Sequence, residues 1–194
     1  MSRRRISREV GVALLATAMQ KKGIKLVAVD FDQTLINFHS GGVWKDSVDK
    51  LVPSVRQCIR DLIQTCLDRD INVCIVTFFM QSWVIKELLQ KLFRRNADRI
   101  LVQANTASFR EKHSNEFLGK EAHIASILTE LYKKEHLKIR PEQVILFDDD
   151  RENTDTALKF GHMAFMVQDD VCEEHFEDFA RMLESTDLRR SWVK

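Results

Sequence analysis

The sequence predicts an α/β fold, a three-layer α/β/α sandwich built on a mostly parallel sheet. Three observations lead there. Short apolar runs alternate with stretches of helical periodicity, the pattern of βαβ crossovers. The runs are continuously apolar rather than alternating, as strands buried on both faces require. Only two prolines and six glycines interrupt the 194 residues, so regular structure has few breaks.

Taken in order, residues 1–22 read as an N-terminal helix packed on the domain. Ile6, Val10, Leu14 and Ala18 repeat along one face. The valine-rich run 25–29 is too short for a helix and reads as the first strand. Pro53 suits a first helical turn, and Val55, Ile59, Leu62 and Cys66 follow at helical spacing. Runs 72–76, 99–103 and 143–147 are the next strands, and 162–167 is a weaker fifth. Between them, Ile85, Leu88 and Leu92 mark a helix over 82–95. Ile124, Ile127, Leu128 and Leu131 mark another over 119–135. A short helix over 151–160 can end at Gly161. Phe176, Phe179 and Leu183 repeat at helical spacing near the end. Two polar segments, 37–52 and 104–118, resist the pattern; both contain loop residues and both follow a strand. Residues 23–194 thus read as a single domain with no internal repeat.

Composition narrows the function classes. Apolar residues make up 44% of the chain, enough for a sizeable core, and the net charge is +1, which gives no global support for a polyanion partner. The basic clusters Arg3–Arg5 and Arg94–Arg95 read as solvated ends or faces. Cys58, Cys66, Cys74 and Cys172 form no CxxC pair and no zinc spacing. The first three sit in apolar patterns, so free thiols in a reducing compartment, the cytoplasm, are expected. The Arg-rich start is also compatible with a mitochondrial presequence and lacks the long apolar region of a secretory one. No run approaches a membrane-spanning length.

The chemistry lies at the strand ends. The first run ends in Asp30-Phe31-Asp32-Gln33-Thr34, the second in Thr77, the fourth in Asp148-Asp149-Asp150. In a parallel sheet these ends share one rim, where ligands of such folds bind. Asp30, Asp32, Asp148 and Asp149 would crowd there. Two unit charges ~4 Å apart repel by about 4 kcal/mol at an effective dielectric near 20, so a cation is expected. All-oxygen donors suit magnesium. If the chain turns after Asp30, the two motif carboxylates take different tasks. One attacks phosphorus; the other exchanges protons with the leaving group and water. Thr77 and Lys120 offer donors to phosphoryl oxygens.

These motifs resemble those of the haloacid dehalogenase superfamily of phosphotransferases. Its Asp-x-Asp-x-Thr motif corresponds to Asp30–Thr34 and its strand-ending Thr to Thr77. Its helix-opening Lys corresponds to Lys120, with Lys112 as a rival, and its acidic Asp-Asp-x-x-x-Asn motif to Asp148–Asn153. The resemblance covers roughly residues 25–167 and implies a Rossmann-like sheet. It also implies a magnesium-dependent phosphatase working through an aspartyl-phosphate intermediate. Asp30 would be nucleophile and metal ligand. Asp32 would be acid/base, with its carbonyl on the metal. Asp148 would ligate magnesium, Asp149 would support the metal or its waters, and Asn153 would brace the acidic loop. Asp30, Phe31, Asp32, Thr77, Phe78 and Lys120 would contact the phosphate. The second aspartate favours phosphoryl transfer over dehalogenation. Gln33 departs from the pattern, standing where a small residue is common.

From Thr34 to Thr77 and from Thr77 to Lys120 the gaps are about 43 residues each, which the sheet's own elements fill, so no large cap is expected. An open site suggests a phosphorylated protein or nucleotide as substrate. Two alternatives stay open: a small-metabolite phosphatase lidded by a second subunit, and a binding protein that kept the fold without turnover. Segment 38–48, with Gly41, Gly42 and Trp44, is either a flap or a surface loop. Segment 104–118, with Arg110, Lys112 and His113, is a second candidate for substrate contact.

Overall fold

In the computed structural model, residues 10–113 and 119–185 are described. The five apolar runs form one sheet: β1 (Leu26–Val29), β2 (Asn72–Thr77), β3 (Ile100–Ala104), β4 (Val144–Asp148) and β5 (Met163–Met166). Their spatial order is β3-β2-β1-β4-β5, and every neighbouring pair is parallel. Successive side chains of a strand point to opposite faces, and both faces are covered. Val27, Val29, Val73, Ile75, Ile145 and Phe147 join one buried cluster. Leu26, Ala28, Cys74, Val76, Val144 and Leu146 join the other. Burying each such side chain contributes about 1.5–3 kcal/mol, which is why apolar runs without polar alternation settle in the middle layer.

Helices supply the outer layers. On the first face lie α1 (Val10–Lys21), α2 (Gln57–Asp68), α3 (Ser82–Phe93) and, behind the short α4 (Ala107–His113) in chain order, α7 (Glu173–Ser185). The second face is covered by α5 (Glu121–Glu135) and α6 (Arg151–Lys159). The architecture is the three-layer parallel sandwich that the strand pattern predicts. No helix among the described residues is long and apolar enough to cross a membrane.

Four expectations need correction or restriction. The buried side of α1 is Gly11, Val12, Leu15, Ala16, Ala18 and Met19, while Val10 and Leu14 are exposed. The reason is the close docking of α7. A Cβ on Gly11 would lie 2.3 Å from the Glu173 carbonyl oxygen, and the Glu173 carboxylate accepts from the Val12 amide at 2.8 Å. This close contact turns the Gly11/Val12/Leu15 side inward. Ile6 and Arg3–Arg5 lie outside the described residues. Pro53 does not open the following helix. It sits in a separate turn, Val55 bridges Ile36, and α2 starts at Gln57. Segment 104–118 is not all loop, because Ala107–His113 is helical and buries Phe109; residues 114–118 lie outside the described set.

Candidate active site

The chain order places β1 between β2 and β4, so the connections leave it in opposite directions and open a crevice beyond its C-terminal end. The Asp30 amide donates to the Phe147 carbonyl at 2.9 Å, which sets Asp30 beside Asp148. After Asp30 the backbone leaves the strand in a single wide turn, Phe31–Leu35. Within it Asp32 stays extended and Gln33 takes a left-handed φ of 55°. That conformation suits glycine and costs other residues about 1–2 kcal/mol. It also explains why a small residue is common there. Here the Gln33 side chain offsets the cost by donating to Asp149 Oδ2 at 3.1 Å.

The sheet brings Asp30, Asp148 and Asp149 together. One carboxylate oxygen from each lies within 4.8 Å of the others. Asp148 is fully buried. Its Oδ1 accepts from Asn153 Nδ2 at 3.0 Å and from the Asp150 amide at 2.9 Å, while Oδ2 has no hydrogen-bond partner. Thr34 Oγ1 donates to Asp149 Oδ1 at 3.1 Å. Asp150 caps α6 by accepting from the Glu152 amide. Burial, with the Asp30 charge next, pushes the Asp148 and Asp149 carboxyls above the usual carboxylate range.

Lys120 stands at the N-terminal cap of α5, with its ammonium 2.8 Å from Asp30 Oδ1 and 3.8 Å from Asp148 Oδ2. Although burial works against its charge, Asp30 and Asp148 outweigh burial and raise its pKa. Lys112 is instead exposed on α4. Thr77 ends β2, is buried, and accepts from the Phe79 amide at 3.1 Å, which leaves its hydroxyl proton to point elsewhere. Phe31 packs against Phe79 at 4.9 Å between centroids. Phe78 spreads its ring under the Lys120 ammonium, 3.9 Å from the ring centroid. Asp30, Asp32, Thr77, Phe78, Lys120, Asp148 and Asp149 therefore line one cavity of about 120 Å³, together with Gln33, His39 and Asn153.

Asp32 is placed differently from the other three acids. Its side chain is not in the close carboxylate cluster of Asp30, Asp148 and Asp149. Its Oδ2 accepts from the Ser40 hydroxyl and amide, and burial raises its pKa against those bonds. Thr34 closes the first acidic motif, and His39 and Ser40 lie in the segment 38–48 read as a flap or a surface loop; the sequence did not mark either of these two as a partner of Asp32.

The oxygen-only donor set fits a hard divalent ion, and the buried Asp148 oxygen without a partner is what such an ion would satisfy. No protein-family model matches the sequence, and no curated protein matches it. Solved structures do match in fold. One is the N-terminal part of a Bacteroides fragilis protein, described as containing a phosphatase domain and complexed with Mg. It aligns with TM-score 0.55 and 15% identity over 86% of this chain and 42% of that one, so this chain spans about two-fifths of its length. Another is a hydrolase of the haloacid dehalogenase superfamily from Ehrlichia chaffeensis, with TM-score 0.52 and 12% identity over 84% of this chain and 98% of that one. In strand order, in the placing of its acidic motifs and in these alignments, the chain has the haloacid-dehalogenase fold.

Proposed function

We propose that this chain is a magnesium-dependent phosphatase that hydrolyses a phosphomonoester through an aspartyl-phosphate on Asp30. The observation that carries the reading is the convergence of Asp30, Asp148 and Asp149 within 4.8 Å around a buried lysine. Three acids and one cation leave the cluster short of positive charge, which a divalent ion would supply.

In this reading the Asp30 carboxylate attacks phosphorus while the ester oxygen departs with a proton from Asp32. Water then attacks the phosphorylated Asp30, Asp32 takes its proton, and orthophosphate leaves. Lys120 and the Thr77 hydroxyl bind the phosphoryl oxygens throughout and stabilise their charge in the transition state. Asp30, Asp148 and Asp149, with the Asp32 carbonyl, would hold magnesium, which neutralises charge on the carboxylates and the phosphoryl group. Asn153 keeps Asp148 oriented, and Gln33 and Thr34 keep Asp149 oriented.

The test is hydrolysis of an aryl phosphate with and without magnesium, in wild type and Asp30→Asn. Activity should require magnesium and fall at least about a thousandfold in the variant, the scale on which nucleophile losses are felt. Wild-type turnover that survives in Asp30→Asn would overturn the assignment of the nucleophile. Wild type as inert as the variant across a broad ester panel would leave a binding protein on this fold.

A further inference from the structure

The two carboxyl oxygens of Asp32 stand in different surroundings. Oδ2 accepts from the Ser40 hydroxyl at 2.8 Å and the Ser40 amide at 3.2 Å, and His39 Nδ1 lies 3.2 Å from the same oxygen. Oδ1 is buried with no hydrogen-bond partner, on a residue that lines the cavity. The Ser40 hydroxyl donates to Oδ2, and its oxygen also receives the Gly42 amide at 3.2 Å. With donors gathered on Oδ2, a proton carried by Asp32 belongs on Oδ1.

The loop bearing Ser40 is itself tied down on two sides. The Gln33 amide donates to the Phe38 carbonyl at 3.1 Å, and the Met80 amide donates to the Gly42 carbonyl at 2.9 Å. The Trp44 amide donates to Gln81 Oε1, and the Trp44 ring packs on Phe38 at 5.8 Å. Gly41 and Gly42 supply the positive φ angles, 73° and 86°, that fold the loop back. Ser40 is thus braced between the turn that carries Asp32 and the loop that follows Thr77.

We propose that Ser40 is a positioning residue for proton transfer. It holds Oδ2 so that Oδ1 is the atom that gives its proton to the departing ester oxygen and later takes one from water. The Asp side-chain torsion is broad and two-fold, so without this anchor the two oxygens interchange and the productive orientation is diluted. The inference rests on the phosphatase reading above and names a residue that the motifs do not.

The experiment compares kcat/KM, which reports binding and the first phosphoryl transfer but not hydrolysis of the intermediate, for an alkyl phosphate and a nitrophenyl phosphate. The poor alkoxide leaving group needs the proton, whereas nitrophenolate departs almost without it. Ser40→Ala should lose about tenfold or more on the alkyl ester, a part of the general-acid contribution. Its loss on the nitrophenyl ester should stay within about threefold, by the same reasoning. Ser40→Thr, which keeps the hydroxyl, should restore the alkyl ester rate. In an Asp32→Ala background Ser40→Ala should add no further loss, because Ser40 acts through Asp32. Equal losses on both esters, or an added loss without Asp32, would overturn the proposal while leaving the phosphatase standing. A wild type inert on both esters would remove the phosphatase reading and this one with it.

Discussion

At the scale of single residues, the site is a set of acids in an environment that disfavours their charge. Asp148 is fully buried and Asp149 partly so. Burial, and after it the Asp30 charge, raises both carboxyls, Asp148 to about 7. The sign of the linkage follows. A folded state that holds these protons more tightly than the unfolded chain is favoured at low pH. It loses that advantage as pH rises from the ordinary carboxylate value toward the raised one. Without a divalent ion, the melting temperature should therefore receive a falling contribution from this pair across about pH 4–7. Saturating magnesium should raise the melting temperature at pH 7 by about 5 °C or more, since it binds only the folded state. Asp148→Asn should lose most of that rise. Melting curves that coincide in magnesium and in a chelator would argue against a metal centre.

At the scale of elements, the position of Lys120 depends on how the N-terminus of α5 is anchored. Glu121, the first helical residue, is buried and accepts from His162 Nε2 at 3.0 Å; His162 Nδ1 faces the Pro141 carbonyl at 3.0 Å. Both ring nitrogens face acceptors, which is the arrangement an imidazolium satisfies. Although burial works against the charge, the Glu121 and Pro141 hydrogen bonds outweigh it and raise the His162 pKa. The contribution of His162 to stability is then fully present below about pH 6.5, the ordinary value. It is lost as pH rises through the raised value in the folded protein. His162→Gln should cost about 1–3 kcal/mol at pH 6, and the cost should shrink at alkaline pH. Denaturant titrations at pH 6 and pH 9 measure this, and a cost independent of pH would mean that the ring is neutral. For the Cys66 thiol in α2 the cause is burial itself, which pushes its pKa to about 12 and leaves it inert.

At the scale of the whole molecule, the acidic cavity is small. Two helix layers cover the faces of the sheet, and the acidic cluster sits at its C-terminal rim. The cavity there, about 120 Å³, lies well below the ~300–1,000 Å³ that encloses a small-molecule ligand. In the proposed reaction it would take the phosphoryl group and leave the rest of the ester outside. Turnover should therefore tolerate bulk beyond the phosphate. A phosphopeptide and a nucleotide monophosphate should show kcat/KM within about tenfold of a comparable small ester, since the excluded portion makes few contacts to lose. A panel in which one small metabolite is turned over and bulky esters are refused would favour a site lidded by a second subunit.

The sequence by itself determined the sheet and its acids. Apolar runs such as 72–76 and 143–147 have no polar face to expose, so they must be central strands, and the acids that follow them must reach one rim. Asp30, Thr77, Lys120 and Asp148 were legible for that reason, each tied by short range to the end of a strand or the start of a helix. What only the tertiary structure decided depends on contacts between residues far apart in the chain. The sequence named Lys112 as well as Lys120, and three-dimensional proximity to Asp30 separates them. The apolar spacing of α1 pointed to Val10 and Leu14, and the close approach of Glu173, more than 160 residues away, buried the other side. The partners of Asp32 were hidden because Ser40 acquires its role only when Gly41 and Gly42 fold the loop back. Hydrophobic periodicity is local and survives in the sequence; the pairing of polar groups across a fold is not local, and only the fold reveals it.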